Sequence, residues 1–407
     1  MPAADSSPTT PARTEPAERT SPGQWVAVAM VTLSTFLVVT SEMLPVGVLT
    51  PMADGLGISS GVAGSSLTIT GLVAAVTAPV VPRLLGDADR RHVLAVAVLA
   101  LTAGNVLTAV STGFGMLVAS RTVLGLGMGT VWGLAAAVAA RLVAPRNAAL
   151  AVSFAVSGVA SASVFGVPLG TLIGNAFGWR AAFATLAGLG VLLAAGLLAA
   201  LPRLRRPPVT EAGDEAPRRS LARPAVVLGL LVVVFLVTAH FAAYTYVRPA
   251  LEQLPRLAPD AVALLLLIYG VFGLAGNFLA GAAAARRARA TVLALAAGIA
   301  AAIAALAFFG SGALAAGLAI ALWGIAYGGL SVGGQLWMTQ AAPDRVEHVT
   351  GIYVGFFTAA IAAGAFLGGV VIETAGIVTL LWATAGLAAL SLVIGLATRG
   401  PRATAAG

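Results

Sequence analysis

The chain has 407 residues, 59% of them hydrophobic and 9% charged, with a formal net charge of +8 and no cysteine. A soluble domain carries about 25% charged residues, so an ordinary soluble fold is excluded, and with no cysteine there is no disulfide framework, thiol nucleophile or cysteine metal site. All 23 basic residues are arginines, and they sort by loop, which speaks for membrane topology and against nucleic-acid binding.

Residues 1–22 are rich in Pro, Ser, Thr and Ala, cannot bury a core and read as a disordered tail. A membrane crossing needs about 20 apolar residues. Twelve runs of that kind follow, near 25–52, 61–85, 93–111, 115–140, 148–174, 179–201, 224–247, 261–284, 290–310, 312–338, 346–372 and 376–397. Backbone groups in hydrocarbon must be satisfied within the segment, so the runs are predicted helices; barrel strands would be shorter and alternating. Nineteen arginines fall in the tails and in every second loop, three (Arg180, Arg248 and Arg256) on the other side, and Arg121 within a span. The positive-inside rule then places both termini in the cytoplasm of a cell carrying this protein in its plasma (inner) membrane.

In the first span lies Thr40-Ser41-Glu42-Met43-Leu44-Pro45-Val46-Gly47, and Glu42 is the one carboxylate well inside any apolar run. Such a group usually faces a bundle interior or a water path and often moves charge; a structural glutamate bonded to a neighbouring helix is the alternative. The loop between spans two and three holds Asp89, Arg90 and Arg91, an acid followed by bases at a helix end, which reads as a bridge to a neighbouring helix or as a solvated topogenic loop. Arg121 lies in the outer half of span four at a depth close to that of Glu42, so the two are expected to pair. A proton on Glu42 would release Arg121, which is proton-carrier chemistry; a static ion pair joining the spans is the alternative. Glycines dominate spans four and five, and Pro168, within Gly166-Val167-Pro168-Leu169-Gly170, should bend span five and free a carbonyl.

Residues 202–223 form the longest break in hydrophobicity and read as a linker dividing the spans six and six: 23–201 is one bundle, 224–398 the second, and 399–407 a tail. The halves repeat at an offset of 198 residues, which aligns Glu42 with His240, Pro51 with Pro249, Gly166 with Gly364 and Gly170 with Gly368. Six spans per repeat leave both halves in the same orientation, a parallel repeat found in transporters. His240, in span seven, reads either as an interhelical hydrogen bonder or as a second titrating group. Trp132, Tyr244, Asn277 and Gln335 are candidates for a cavity wall. No Walker A motif is present, so no ATP site is expected, and no cofactor or metal is implied.

Four segments carry a family resemblance: Ser41 to Gly47 in span one; Arg121 with Gly125, Gly129 and Trp132-Gly133 in span four; Gly166 to Thr171 with Gly178-Trp179-Arg180 across spans five and six; and Thr238-Ala239-His240 through Pro249. Over roughly residues 25–398 the chain resembles the major facilitator superfamily, in particular its drug:proton antiporter branch with the sugar- and arabinose-efflux-type permeases. The loop at Asp89-Arg90-Arg91 is a shortened form of that family's pattern, lacking its second Gly, and Leu126-Gly127 stands where span four usually has Gln. The resemblance implies an all-α, twelve-span, two-bundle carrier that acts as a monomer. It implies proton-coupled efflux of a small molecule such as a drug or sugar. Glu42, Arg121 and His240 would couple protons, and Asp89-Arg90-Arg91 with Gly166, Pro168 and Gly170 would gate. An uncoupled facilitator or a proton symporter for a sugar or nucleoside is the alternative, and an integral-membrane enzyme the remote one.

Overall fold

The computed structural model describes residues 20–84, 86, 88–204, 224–343 and 346–397. Most of the 202–223 linker, most of the N-terminal tail and all of the 399–407 tail therefore lie outside the described residues.

The protein is all-helical. Ten helices are long and apolar enough to cross a membrane. Two of these, Pro259–Phe309 and Val346–Ala397, are each two spans joined at a backbone break, at Arg287 and at Gly376. Twelve crossings result. Span one, Pro22–Gly47, begins at a capping box in which Ser21 and Gln24 satisfy each other's backbone N–H, and Leu49–Leu56 continues it beyond a break at Val48. Span two is Ser60–Leu84, span three Arg90–Ala109, span four Phe114–Arg141 and span six Trp179–Ala200. Span five comprises Ala148–Ser161, a π-helical turn at Ala162–Gly166 and Val167–Phe177. The turn lies directly before Pro168, whose ring cannot accept the regular helical ladder behind it. Span seven, Pro224–Tyr244, continues as Val247–Gln253, and span ten is Ala313–Gly328 followed by Leu330–Ala341.

The repeat is written into the backbone. Val48 and Tyr246, 198 residues apart, break spans one and seven with nearly the same dihedrals (φ −121°, ψ 19° and φ −109°, ψ 20°). Gly178 and Gly376, at the same offset, turn span five into six and eleven into twelve at φ 88° and 80°, a left-handed region that favours glycine. The packing repeats as well. Gly166 abuts Thr40 and Gly170 abuts Leu44, while Gly364 abuts Thr238 and Gly368 abuts Ala242. Span five thus lies against span one as span eleven lies against span seven, the missing side chains letting each pair approach closely.

The halves meet where span two packs on span eleven and span five on span eight. Thr68 donates to the Ala362 carbonyl (2.9 Å), and Gly270 lies against the Ser163 carbonyl in the π-helical turn. Outward-facing side chains are large and apolar, Phe278 and Phe308 each 70% exposed, as a lipid-facing surface requires.

Candidate functional site

Every described hydrogen bond between the halves lies in the half of the molecule away from the Arg-rich loops. Arg248, nearly fully buried, donates from Nε to Glu252 Oε1 (2.7 Å) and from Nη1 to the Gly47 carbonyl and to Asn175 Oδ1 (3.1 Å). Thr50 donates to Glu252 Oε2 (2.5 Å), and Asn175 to Asp260 Oδ1 (3.3 Å). Tyr246 donates to the carbonyls of Gly61 (3.2 Å) and Ala365 (2.9 Å), and the Gly61 N–H to Glu373 Oε1 (2.8 Å). Together these bonds latch the cleft between the halves at the end opposite the Arg-rich face, and no described hydrogen bond joins the halves at that face.

The first half contributes charge. Glu42 is 7% exposed, and no hydrogen bond or ion pair among the described residues reaches its carboxylate. Arg121 is 0% exposed and donates from Nη1 to the carbonyl of Ser41, Glu42's chain neighbour (3.3 Å). Its guanidinium carbon lies 5.4 Å from the Phe183 ring centre, and its Nε and Nη2 have no hydrogen-bond partner among the described residues. Arg121 thus reaches span one at the residue next to Glu42. The depths of Glu42 and Arg121 agree as the sequence implies, but the direct contact expected between them is absent: the carbonyl is the nearer acceptor. Asn105, in span three, donates to Ser41 Oγ (2.8 Å) and steadies that turn.

The second half contributes rings. His240 is fully buried; its Nδ1 accepts from the Trp323 indole N–H (2.9 Å), and its Nε2 lies 3.4 Å from the Tyr269 hydroxyl. Indole is a donor only. Nδ1 therefore carries no proton in this arrangement, and a neutral imidazole holds its hydrogen on Nε2. Tyr327 stacks on His240 with ring centres 3.5 Å apart and planes 6° from parallel. Tyr244 stacks on His240 at 5.2 Å and on Tyr269 at 4.7 Å, and Trp323 meets His240 edge-on at 5.6 Å. Span eight, which carries Tyr269, also meets span one, where Leu266, three residues before that tyrosine, lies against Gly47.

Of the candidate wall residues only Tyr244 belongs to this cluster. Asn277 and Gln335 each lie eight residues further along their spans than Tyr269 and Tyr327, about 12 Å nearer the Arg-rich face at 1.5 Å per residue. No described contact joins either to the rings. Trp132 is half-buried against the apolar core. Sequence reading missed Tyr269, Trp323 and Tyr327, yet a signal was present: the chain has five tyrosines, all between residues 244 and 353. It also read Arg248 only as a topology marker.

The Asp89 loop sits at the Arg-rich face. Asp89 caps span three by accepting from the Arg91 N–H (3.0 Å), and the same oxygen accepts from the Leu204 N–H (2.9 Å). The Arg90 N–H returns to the Leu204 carbonyl (3.0 Å), and Arg90's guanidinium donates to the Gly86 carbonyl (3.1 Å). The bridge is thus made to the chain leaving span six, with Asp89 as its acceptor. Burial alone would raise the Asp89 carboxyl, but the Leu204 and Arg91 N–H groups, with the charges of His92 and Arg91, hold it below its ordinary value.

Comparisons with known proteins agree with this architecture. The family model described as Major Facilitator Superfamily matches residues 31–353. A purine ribonucleoside efflux pump, NepI, from Escherichia coli is 30% identical over 370 residues, covering 91% of this chain and 93% of that protein. Among solved structures, a bacterial homologue of the human lysosomal transporter Spinster, inward-facing and unoccupied, superposes with a TM-score of 0.75 at 16% identity, covering 92% of this chain and 96% of the other. A mutant of the nucleoside transporter NupG superposes with a TM-score of 0.76 at 13% identity, covering 92% and 99%.

Proposed function

The chain belongs to the Major Facilitator Superfamily, a multi-pass membrane transporter and not an enzyme, and from that premise we propose that it exports a purine ribonucleoside, or a compound of similar shape, in exchange for protons. The observation that carries the reading is the Glu42 carboxylate: nine-tenths buried, without a hydrogen bond among the described residues, and next in the chain to Ser41, whose carbonyl a buried arginine holds. An unpartnered carboxylate at that depth is costly unless it gains a proton or a counter-charge. The relative's name supplies the substrate class and the direction. The broader expectation of a drug or sugar is narrowed to a nucleoside on that ground.

Taking the Arg-rich face as cytoplasmic, the described state is open to the cell interior and ready to load. Ionised Glu42 and Arg121 attract each other there. Substrate binding favours breaking the Arg248 latch, and the cleft then opens outward. A proton from outside neutralises Glu42, its attraction for Arg121 is lost, and the substrate leaves. Return to the inward state carries the proton in. The close seams of Gly166 and Gly170 let span five rock on span one, and Pro168 with its π-helical turn supplies the bend. The loop of Asp89, Arg90 and Arg91 steadies the inner end of the first half.

The test is transport in everted vesicles with a pH-sensitive dye. Addition of inosine to energised vesicles should collapse part of the pH gradient with the parent protein and leave it unchanged with Glu42→Gln. Inosine movement that ignores the gradient would instead indicate an uncoupled facilitator.

A further inference from the structure

The ring cluster does more than fill space between spans seven, eight and ten. In a dry span, Phe and Leu would pack as well as Tyr and His without polar atoms to satisfy. Here the polar atoms divide into two sets. The Trp323 N–H, both His240 nitrogens and the Tyr269 hydroxyl serve one another. The hydroxyls of Tyr244 and Tyr327 have no hydrogen-bond partner among the described residues, although Tyr244 is nine-tenths buried. Tyr327 is only half-buried, with one face covered by His240. Glu42, in the first half, is nine-tenths buried and likewise has no hydrogen-bond partner among the described residues. The half-exposed Tyr327 ring and three polar groups are thus left without a hydrogen-bond partner among the described residues.

We propose that Tyr327, stacked on His240, is the platform on which a flat heteroaromatic ring binds, with the Tyr244 hydroxyl and the Glu42 carboxylate reading polar edges of the substrate. His240 is a positioning residue here, and this departs from its expected part in proton coupling. With Nδ1 committed to the Trp323 indole, a second ring proton would set two donors against each other, so the imidazole stays neutral and holds Tyr327 flat. The platform rests on the export reading for its substrate, a purine ribonucleoside, but selects by the base and not by the sugar.

Calorimetric titration of the purified protein with inosine, uridine and ribose tests the platform without transport. Inosine should bind most tightly, uridine more weakly and ribose undetectably. Tyr327→Leu should weaken inosine about tenfold or more, the scale of a lost base–aromatic stack, whereas Tyr327→Phe keeps the ring face and most of the affinity. In histidine-labelled protein, ¹⁵N spectra should assign His240 the Nε2–H form and show its signals moving with inosine. Equal binding of ribose and inosine, unchanged inosine affinity in folded Tyr327→Leu, a protonated Nδ1, or no inosine binding by the parent protein would each overturn the proposal. Tyr327-dependent binding without proton movement would remove the antiport reading and leave the platform standing. Proton movement driven only by a substrate lacking an aromatic ring would do the reverse.

Discussion

At the scale of single residues, the proposed proton coupling divides one task between Glu42 and Arg121. Arg121 spends one N–H on a main-chain carbonyl and leaves Nε and Nη2 unpartnered in a dry span, a state tolerable only with a negative charge close by. Lysine keeps the charge but loses the planar fork and the seat over Phe183. Arg121→Lys should therefore fold normally yet lower proton-linked export about tenfold or more, measured as initial rates in vesicles with matched protein content. Glu42 and Arg121 were legible in the sequence because a charge inside an apolar run stands out. Tyr269, Trp323 and Tyr327 were not, because an aromatic in an apolar span looks the same whether it faces lipid, core or cleft. Facing depends on helix rotation, which tertiary packing sets and hydrophobicity in a membrane span does not reveal.

At the scale of elements, the glycine seams and the Asp89 cap make separable predictions. An alanine methyl at Gly170 would meet Leu44 Cδ1 at 2.6 Å, the movable end of a side chain, whereas at Gly364 it would meet the Thr238 backbone oxygen at 2.6 Å. Gly364→Ala should thus cost about 1–3 kcal/mol of stability and Gly170→Ala distinctly less, read as thermal unfolding in detergent. Asp89→Ala removes a helix cap together with the acceptor for Leu204 and should cost about 1–2 kcal/mol, while Asp89→Asn retains an acceptor oxygen and most of the stability. The pH dependence follows from the lowered carboxyl. Its contribution is complete above the ordinary value of 3.8 and is lost only as pH falls through the lower folded value. Transport measured between pH 6 and 8 should therefore show the same pH profile in Asp89→Asn as in the parent. Spacing made the seams visible beforehand. The docking of Leu204 on Asp89 joins segments 115 residues apart, and local pattern carries no trace of that.

At the scale of the whole molecule, the two halves are held in one arrangement by the Arg248 network, and transport requires that arrangement to break. Arg248→Gln removes the donors to Glu252, Gly47 and Asn175 together. It should move the equilibrium towards the outward-open form by about tenfold. Since the native chain has no cysteine, spin labels at paired introduced cysteines can report this as longer distances at the latched end and shorter ones at the Arg-rich end. The six-and-six division and the repeat could be counted from the sequence, but which end is closed could not, since both states share every span. The repeat has a further consequence. Positions related by the 198-residue offset now hold unlike chemistry, a carboxylate in one half and a locked imidazole in the other. On the proposed reading the first copy moves the proton and the second carries the ring platform, with Glu42 serving both tasks. A lineage of such proteins would then change the flat part of its cargo through substitutions around that platform, with Glu42 and Arg121 kept in place.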